Sequence, residues 1–183
     1  MKKFSIVLSL LFVANVLNAS ILTIEEQRID KALQALPHLN SKIEDSDKKV
    51  QSILSESNYS IIRQKLHYFG ESLWQEEVKS VQQGRLDDRD LYWQRLSVVK
   101  AIKLKNKAFN QAELTSLIEV FENSSRGRTE LSFTEPTMKK ILLTGFDPFL
   151  LDKNIAQSNP SGIAALLLDG QVIEYKGIKA QIN

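Results

Sequence analysis

From Thr23 to Phe121 the apolar residues recur at helical spacing, and after Lys139 they run together instead. This change of period constrains the fold more than any other feature. A stripe repeating every three to four residues must be buried against other helices. A short unbroken apolar run asks for a strand covered on both faces of a sheet. The fold class expected is therefore α+β, with a helical region followed by the opening of an α/β unit.

Five helices are expected. The first opens at Thr23, where Thr-Ile-Glu-Glu reads as a capping box, carries Ile29, Leu33 and Leu36 on one face, and stops at Pro37. The second runs from about Ser41 to Leu54, with Ile43, Val50, Ile53 and Leu54 facing inward. The third covers about Ser60 to Gln83 and ends at Gly84; Gly70 inside it weakens the propensity by about 1 kcal/mol. The fourth spans Asp90 to about Leu104. The fifth begins at the Asn110–Glu113 box, with Leu114, Leu117, Ile118 and Phe121 as its stripe. Short loops between such helices suggest an antiparallel bundle or hairpins. Trp74 and Trp93 fit packing anchors. Asp87-Asp88-Arg89-Asp90 reads as a solvated turn whose acids favour a helix start, and it lacks calcium-loop spacing. His38 and His67 share no metal-binding spacing.

Residues 1–19 are set apart as a signal peptide. Met1-Lys2-Lys3 is basic, Phe4 to Val13 is apolar, and Asn18-Ala19-Ser20 offers small residues for cleavage after Ala19. An exported protein, periplasmic or secreted, is the expectation. Without residues 1–19, Lys+Arg falls from 24 to 22 against 22 Asp+Glu, so the mature charge is near zero. Neither a nucleic-acid partner nor an anionic membrane is suggested. The chain has no cysteine, so it can hold no disulfide, thiolate nucleophile or thiolate metal site.

The helical region is bounded as 20–123, and the polar stretch that follows marks a linker over 124–138. From 139 to 183 the expected order is strand (Lys139–Thr144), loop, helix (Ser161–Leu168, opened by Asn159 and Pro160) and two strands joined at Lys176-Gly177. The loop from Gly145 to Asn159 lies beyond a strand's carboxyl end, where open α/β sheets bind ligands. It is no phosphate loop. It holds two rings, Phe146 and Phe149, on either side of Asp-Pro. Spacing alone favours burial of both rings in the core.

The strings "MKKILLTGFDPF" and "NPSGIAALLLDG" resemble the amino terminus of pyroglutamyl peptidase type I over about Met138 to Asn183. The resemblance implies the start of an α/β/α sandwich, incomplete here, and a cysteine-type peptidase family that removes N-terminal pyroglutamate from peptides. It implies Phe146 and Phe149 as substrate-binding walls, peptide substrates with N-terminal pyroglutamate as partners, and no cofactor or metal. Leu150-Leu151 replace the glycines usual in that family. The chain ends at Asn183 before the family's catalytic Glu, Cys and His, so no catalytic residue is assigned and the chain alone is expected to be inactive. A second expectation comes from another class: a periplasmic helical binding or interaction module with a vestigial α/β tail, whose residues 20–123 fold alone.

Overall fold

The computed structural model describes residues 22–105, 107–129, 131, 133 and 137–183. The segment read as a signal peptide, 1–19, lies outside the described residues, as does part of the linker. No described helix is long and apolar enough to cross a membrane.

The first expected helix is two. α1 (Ile24–Gln27) and α2 (Ile29–Ala35) are separated at Arg28, whose amide donates to the Glu25 carbonyl at 3.0 Å, an i−3 bond that tightens the turn. The Thr23 amide donates to Glu26 Oε2 at 2.8 Å, so one arm of the capping box is visible there. Glu26 also pairs with Lys103, tying this end to a later helix. Leu36, before Pro37, leaves the helical region as a pre-proline residue must.

α3 (Leu39–Leu54), α4 (Tyr59–Gln82), α5 (Arg89–Lys103) and α6 (Gln111–Ser124) follow the expected stripes. α3 packs along α5, and α4 along α6. Gly70 has a packing reason that outweighs its propensity penalty. A Cβ there would stand 2.0 Å from Ser124 Oγ and 2.9 Å from the Phe121 carbonyl, so the α4–α6 crossing admits only glycine. α5 is apolar on two sides because it serves two cores. Tyr92 and Trp93 join Ile29, Ala32, Leu39 and Ile43, while Val98 and Ile102 join Ile62, Leu66, Leu117 and Phe121.

The C-terminal segment holds β1 (Lys139–Ile141), α7 (Pro160–Leu168), β2 (Val172–Tyr175) and β3 (Ile178–Ile182). The sheet order is β1-β3-β2, with β1 parallel and β2 antiparallel to β3. Lys176 (φ 51) and Gly177 (φ 78) form the two-residue hairpin turn, both in the left-handed region that such turns require.

Two expectations fail in this segment. The strand is shorter than Lys139–Thr144, and it is not covered on both faces: β1 and β2 are exposed throughout. Three strands and one helix cannot cover two faces, and α7 packs on α4. The register places Ile141, Ile173, Tyr175 and Ile178 on one face of the sheet, all of them exposed. On α7 it is Leu166 that is buried, inside the helical core, whereas Leu167 is exposed. Leu151 is likewise buried, in the second helical core. The segment is therefore seated on the helices at two apolar points.

Candidate functional site

The loop after β1 is placed by a close crossing with α7. A Cβ on Gly145 would meet the Ser161 carbonyl at 2.6 Å and Gly162 Cα at 2.7 Å, so glycine serves close approach here. The Phe146 amide donates to Ser161 Oγ at 3.1 Å. Asn159 caps α7, accepting from the Ser161 amide at 3.0 Å, and its Nδ2 donates to the Asp147 carbonyl at 3.1 Å.

That crossing points Asp147 at the helices. Arg95 on α5 donates through Nη1 to Asp147 Oδ1 at 3.0 Å, and Arg126 through Nη1 to Oδ2 at 2.7 Å. Both guanidiniums also hold Glu122, at 3.1 Å and 2.8 Å. Two cations and two anions close into a neutral quartet. Burial pushes the Asp147 and Glu122 carboxyls up, but Arg95 and Arg126 outweigh it and hold both below the usual carboxylate range. Arg95 is nearly buried, with a side chain 6% exposed. Such a charge is tolerated only because it is paired.

A second tie lies alongside. The Asn159 amide donates to Asp88 at 3.2 Å, and Asp88 is buried. Burial raises the Asp88 carboxyl to about 6, opposed by backbone hydrogen bonds and reinforced by Asp87 and Asp147. The solvated turn expected at Asp87–Asp90 is thus corrected. Asp90 is fully buried too, between Lys42 and Arg85 with His38 at 3.6 Å, and Arg89 donates to the Ala156 carbonyl at 3.1 Å. Neighbouring acids ordinarily stay wet, but here the fold carries partners for them from α3, from the turn before α5 and from the C-terminal segment.

Between the two halves lies a cavity of about 290 Å³. The helices contribute Trp74, Leu91, Tyr92 and Arg95, and the turn after α6 contributes Arg126. The C-terminal segment contributes Leu142, Gly145, Phe146, Pro148 and Leu166. Burial pushes the Tyr92 hydroxyl far above its ordinary value. Trp74 Nε1 donates to Asp169 Oδ2 at 3.3 Å, and Gln82 Nε2 donates to the Asp169 carbonyl at 2.9 Å, which holds the end of α7 against α4.

Phe146 is 75% exposed and lines the cavity, while Phe149 is 58% exposed and is not among the residues that line it. Neither ring enters the core as spacing favoured, and the cavity does not gather them as a pair. Leu150 has φ 59, a conformation that glycine takes easily and leucine does not, and this turns the chain so that Leu151, not a ring, enters the core.

The quartet escapes a reading of the sequence, although one signal is present. Leu91, Arg95, Val98 and Ile102 form a single helical stripe with a charge inside it. A cation in a buried stripe calls for an acid from elsewhere in the chain.

The family described as the PA0049 N-terminal domain matches residues 13–122. No curated protein matches, and no solved structure matches. The resemblance to pyroglutamyl peptidase type I is corrected by this finding: the family found is a different one, it lies on the helical half, and nothing in the comparisons indicates a pyroglutamyl peptidase.

Proposed function

We propose that the protein, a member of the PA0049 N-terminal domain family by its match over residues 13–122, is an exported binding protein. The helices form the body of a small-ligand cleft, and the C-terminal segment supplies its second wall. The observation that carries this reading is the cavity of about 290 Å³ whose walls come from both halves. That volume sits at the small end of ligand clefts, about 300–1,000 Å³. Apolar side chains dominate the walls, with a few fixed polar groups, as in sites that bind by shape and orient by hydrogen bonds. The wall charges of the quartet are spent on one another, which suits a rigid wall. Export is supported by the basic, apolar and small-residue order of residues 1–19.

The test is ligand-observed NMR on the full chain with a panel of small organic acids, amines and amides. Ala165, in the cavity wall, gives the blocked control Ala165→Phe. Saturation transfer to at least one probe, lost in the blocked variant, is expected. A silent panel, or transfer that survives the block, refutes the cleft.

A further inference from the structure

The sheet has two edges, and the sequence guards only one of them. β1 is three residues long and carries Lys139 and Lys140, a short charged edge that discourages a further strand. β2, Val172-Ile173-Glu174-Tyr175, has no lysine, proline or bulge. Its one charge, Glu174, already has Lys179 at 3.8 Å on the neighbouring strand. Among the described residues no strand lies beyond β2, and its side chains are exposed on both faces of the sheet. An edge of this kind is a template for another strand.

The hairpin fixes which backbone groups point outward. Lys176 and Gly177 form a two-residue turn, so Tyr175 and Ile178 are its closing hydrogen-bonded pair. Such pairs alternate along an antiparallel ladder, so Ile173 also turns its amide and carbonyl toward β3. The Ile182 amide donates to the Gln171 carbonyl at 2.8 Å, in phase with this. Val172 and Glu174 therefore turn their amides and carbonyls away from β3, to the open edge.

A second copy, related by a two-fold axis perpendicular to the sheet, can meet those groups in few registers. Centring the axis on Glu174 sets two carboxylates directly opposite, which is destabilising. Centring it on Val172 sets Glu174 against Gly170, whose φ of 74 takes it out of the strand. Centring it on Ile173 pairs Val172 with Glu174 of the second copy, twice over. That register makes four hydrogen bonds, opposes no like charges and sets two Ile173 side chains together on the axis.

We propose that β2 pairs with β2 of a second copy, antiparallel and centred on Ile173, to make one continuous six-stranded sheet. The occupant is a copy of this chain because the edge is complementary to itself in charge, hydrogen-bond phase and strand length at that register. Four hydrogen bonds and one apolar pair make a reversible dimer, with a dissociation constant on the order of 100 μM.

The chain has no cysteine, so one introduced thiol can bridge only to its own copy. At a non-hydrogen-bonded antiparallel pair the Cα atoms stand about 4.5 Å apart, within disulfide reach, and Ile173→Cys places two thiols there. Val172→Cys is the control. It is exposed like Ile173, but in this register it lies two residues along from its own copy, beyond the limit of about 7 Å.

In sedimentation equilibrium from about 5 to about 500 μM, the parent chain is expected to pass from monomer toward dimer. In a glutathione redox buffer, Ile173→Cys should form its disulfide dimer at least about 10-fold faster than Val172→Cys. Near-UV circular dichroism of the reduced variants checks that both keep the fold. A parent chain that stays monomeric throughout overturns the proposal. Equal rates, or a faster Val172→Cys, overturn it too, because association would then use another register or another surface.

Discussion

Asp147→Asn removes one charge from the quartet and keeps the side chain's shape. The magnitude follows from exposure. Breaking a fully buried pair by removing one partner costs about 3–5 kcal/mol, because the other charge is left buried. Here Arg95 is 6% exposed but keeps Glu122, while the Asp147 side chain is 36% exposed and screened by water. Asparagine also retains one acceptor. The expected loss is therefore about 1–2 kcal/mol, well below the buried limit and above a surface pair.

The loss falls on the docking of the C-terminal segment, since Asp147 touches the helices only there. Trypsin reads this directly, because Arg126 is both a quartet member and a cleavage site at the linker. Under native conditions cleavage tracks the population of the open form. Cleavage after Arg126 should accelerate by about 5- to 30-fold, the fold-change equivalent to that loss. A rate after Arg126 within about twofold of the parent chain would refute the view that Asp147 tethers the segment.

Stability should rise as pH falls from about 8 to about 5. Burial lifts the Glu77 carboxyl to about 7, reinforced by Asp90 and Asp87 and opposed by Arg85 and Lys42, and Asp88 lies at about 6. Both values are raised, so their stabilisation is complete below the unfolded carboxylate values and lost as pH climbs through 6 and 7. The depressed Asp147 and Glu122 act in the opposite sense, losing their contribution below about pH 4. Urea titrations should place the optimum near pH 5, with Glu77→Gln removing up to about 3 kcal/mol of the slope; an unchanged slope would refute the assignment. Ile173→Lys, on the exposed edge strand β2, should reduce light scattering at high protein concentration and change stability by less than about 0.5 kcal/mol. Unchanged scattering would mean that this edge does not drive association.

What the sequence makes legible is local. The stripe Ile62, Leu66, Phe69, Leu73 and the stop at Gly84 delimit α4, because both signals act within one helix. The Asn110–Glu113 box opens α6 with both arms present, and Lys176-Gly177 closes the hairpin. What stays hidden is set by partners far along the chain. Asp88 finds the Asn159 amide 71 residues away, and Asp147 finds Arg95 52 residues away. Nothing near Asp88 distinguishes it from a wet acid. The exposed sheet is hidden for a different reason. Lys-Lys-Ile-Leu-Leu-Thr states what cover a strand wants, and only the assembled segment shows how little of that cover it has.

The C-terminal segment is nonetheless no loose appendage of the helices. Residues 20–123 without it would leave Leu151 and Leu166 missing from two separate cores. Losses of this kind cost about 2–5 kcal/mol each when the cavity cannot collapse. Arg95 would keep Glu122 alone, and Asp88 would lose the amide that partly offsets its burial. Set against a total stability of about 5–15 kcal/mol, those losses are comparable to the whole. A vestigial tail would leave the core composition of its host untouched, whereas this one fills both cores and neutralises a buried cation on α5. The helical region and the segment after it are better regarded as one folding unit, with the cleft at its internal seam.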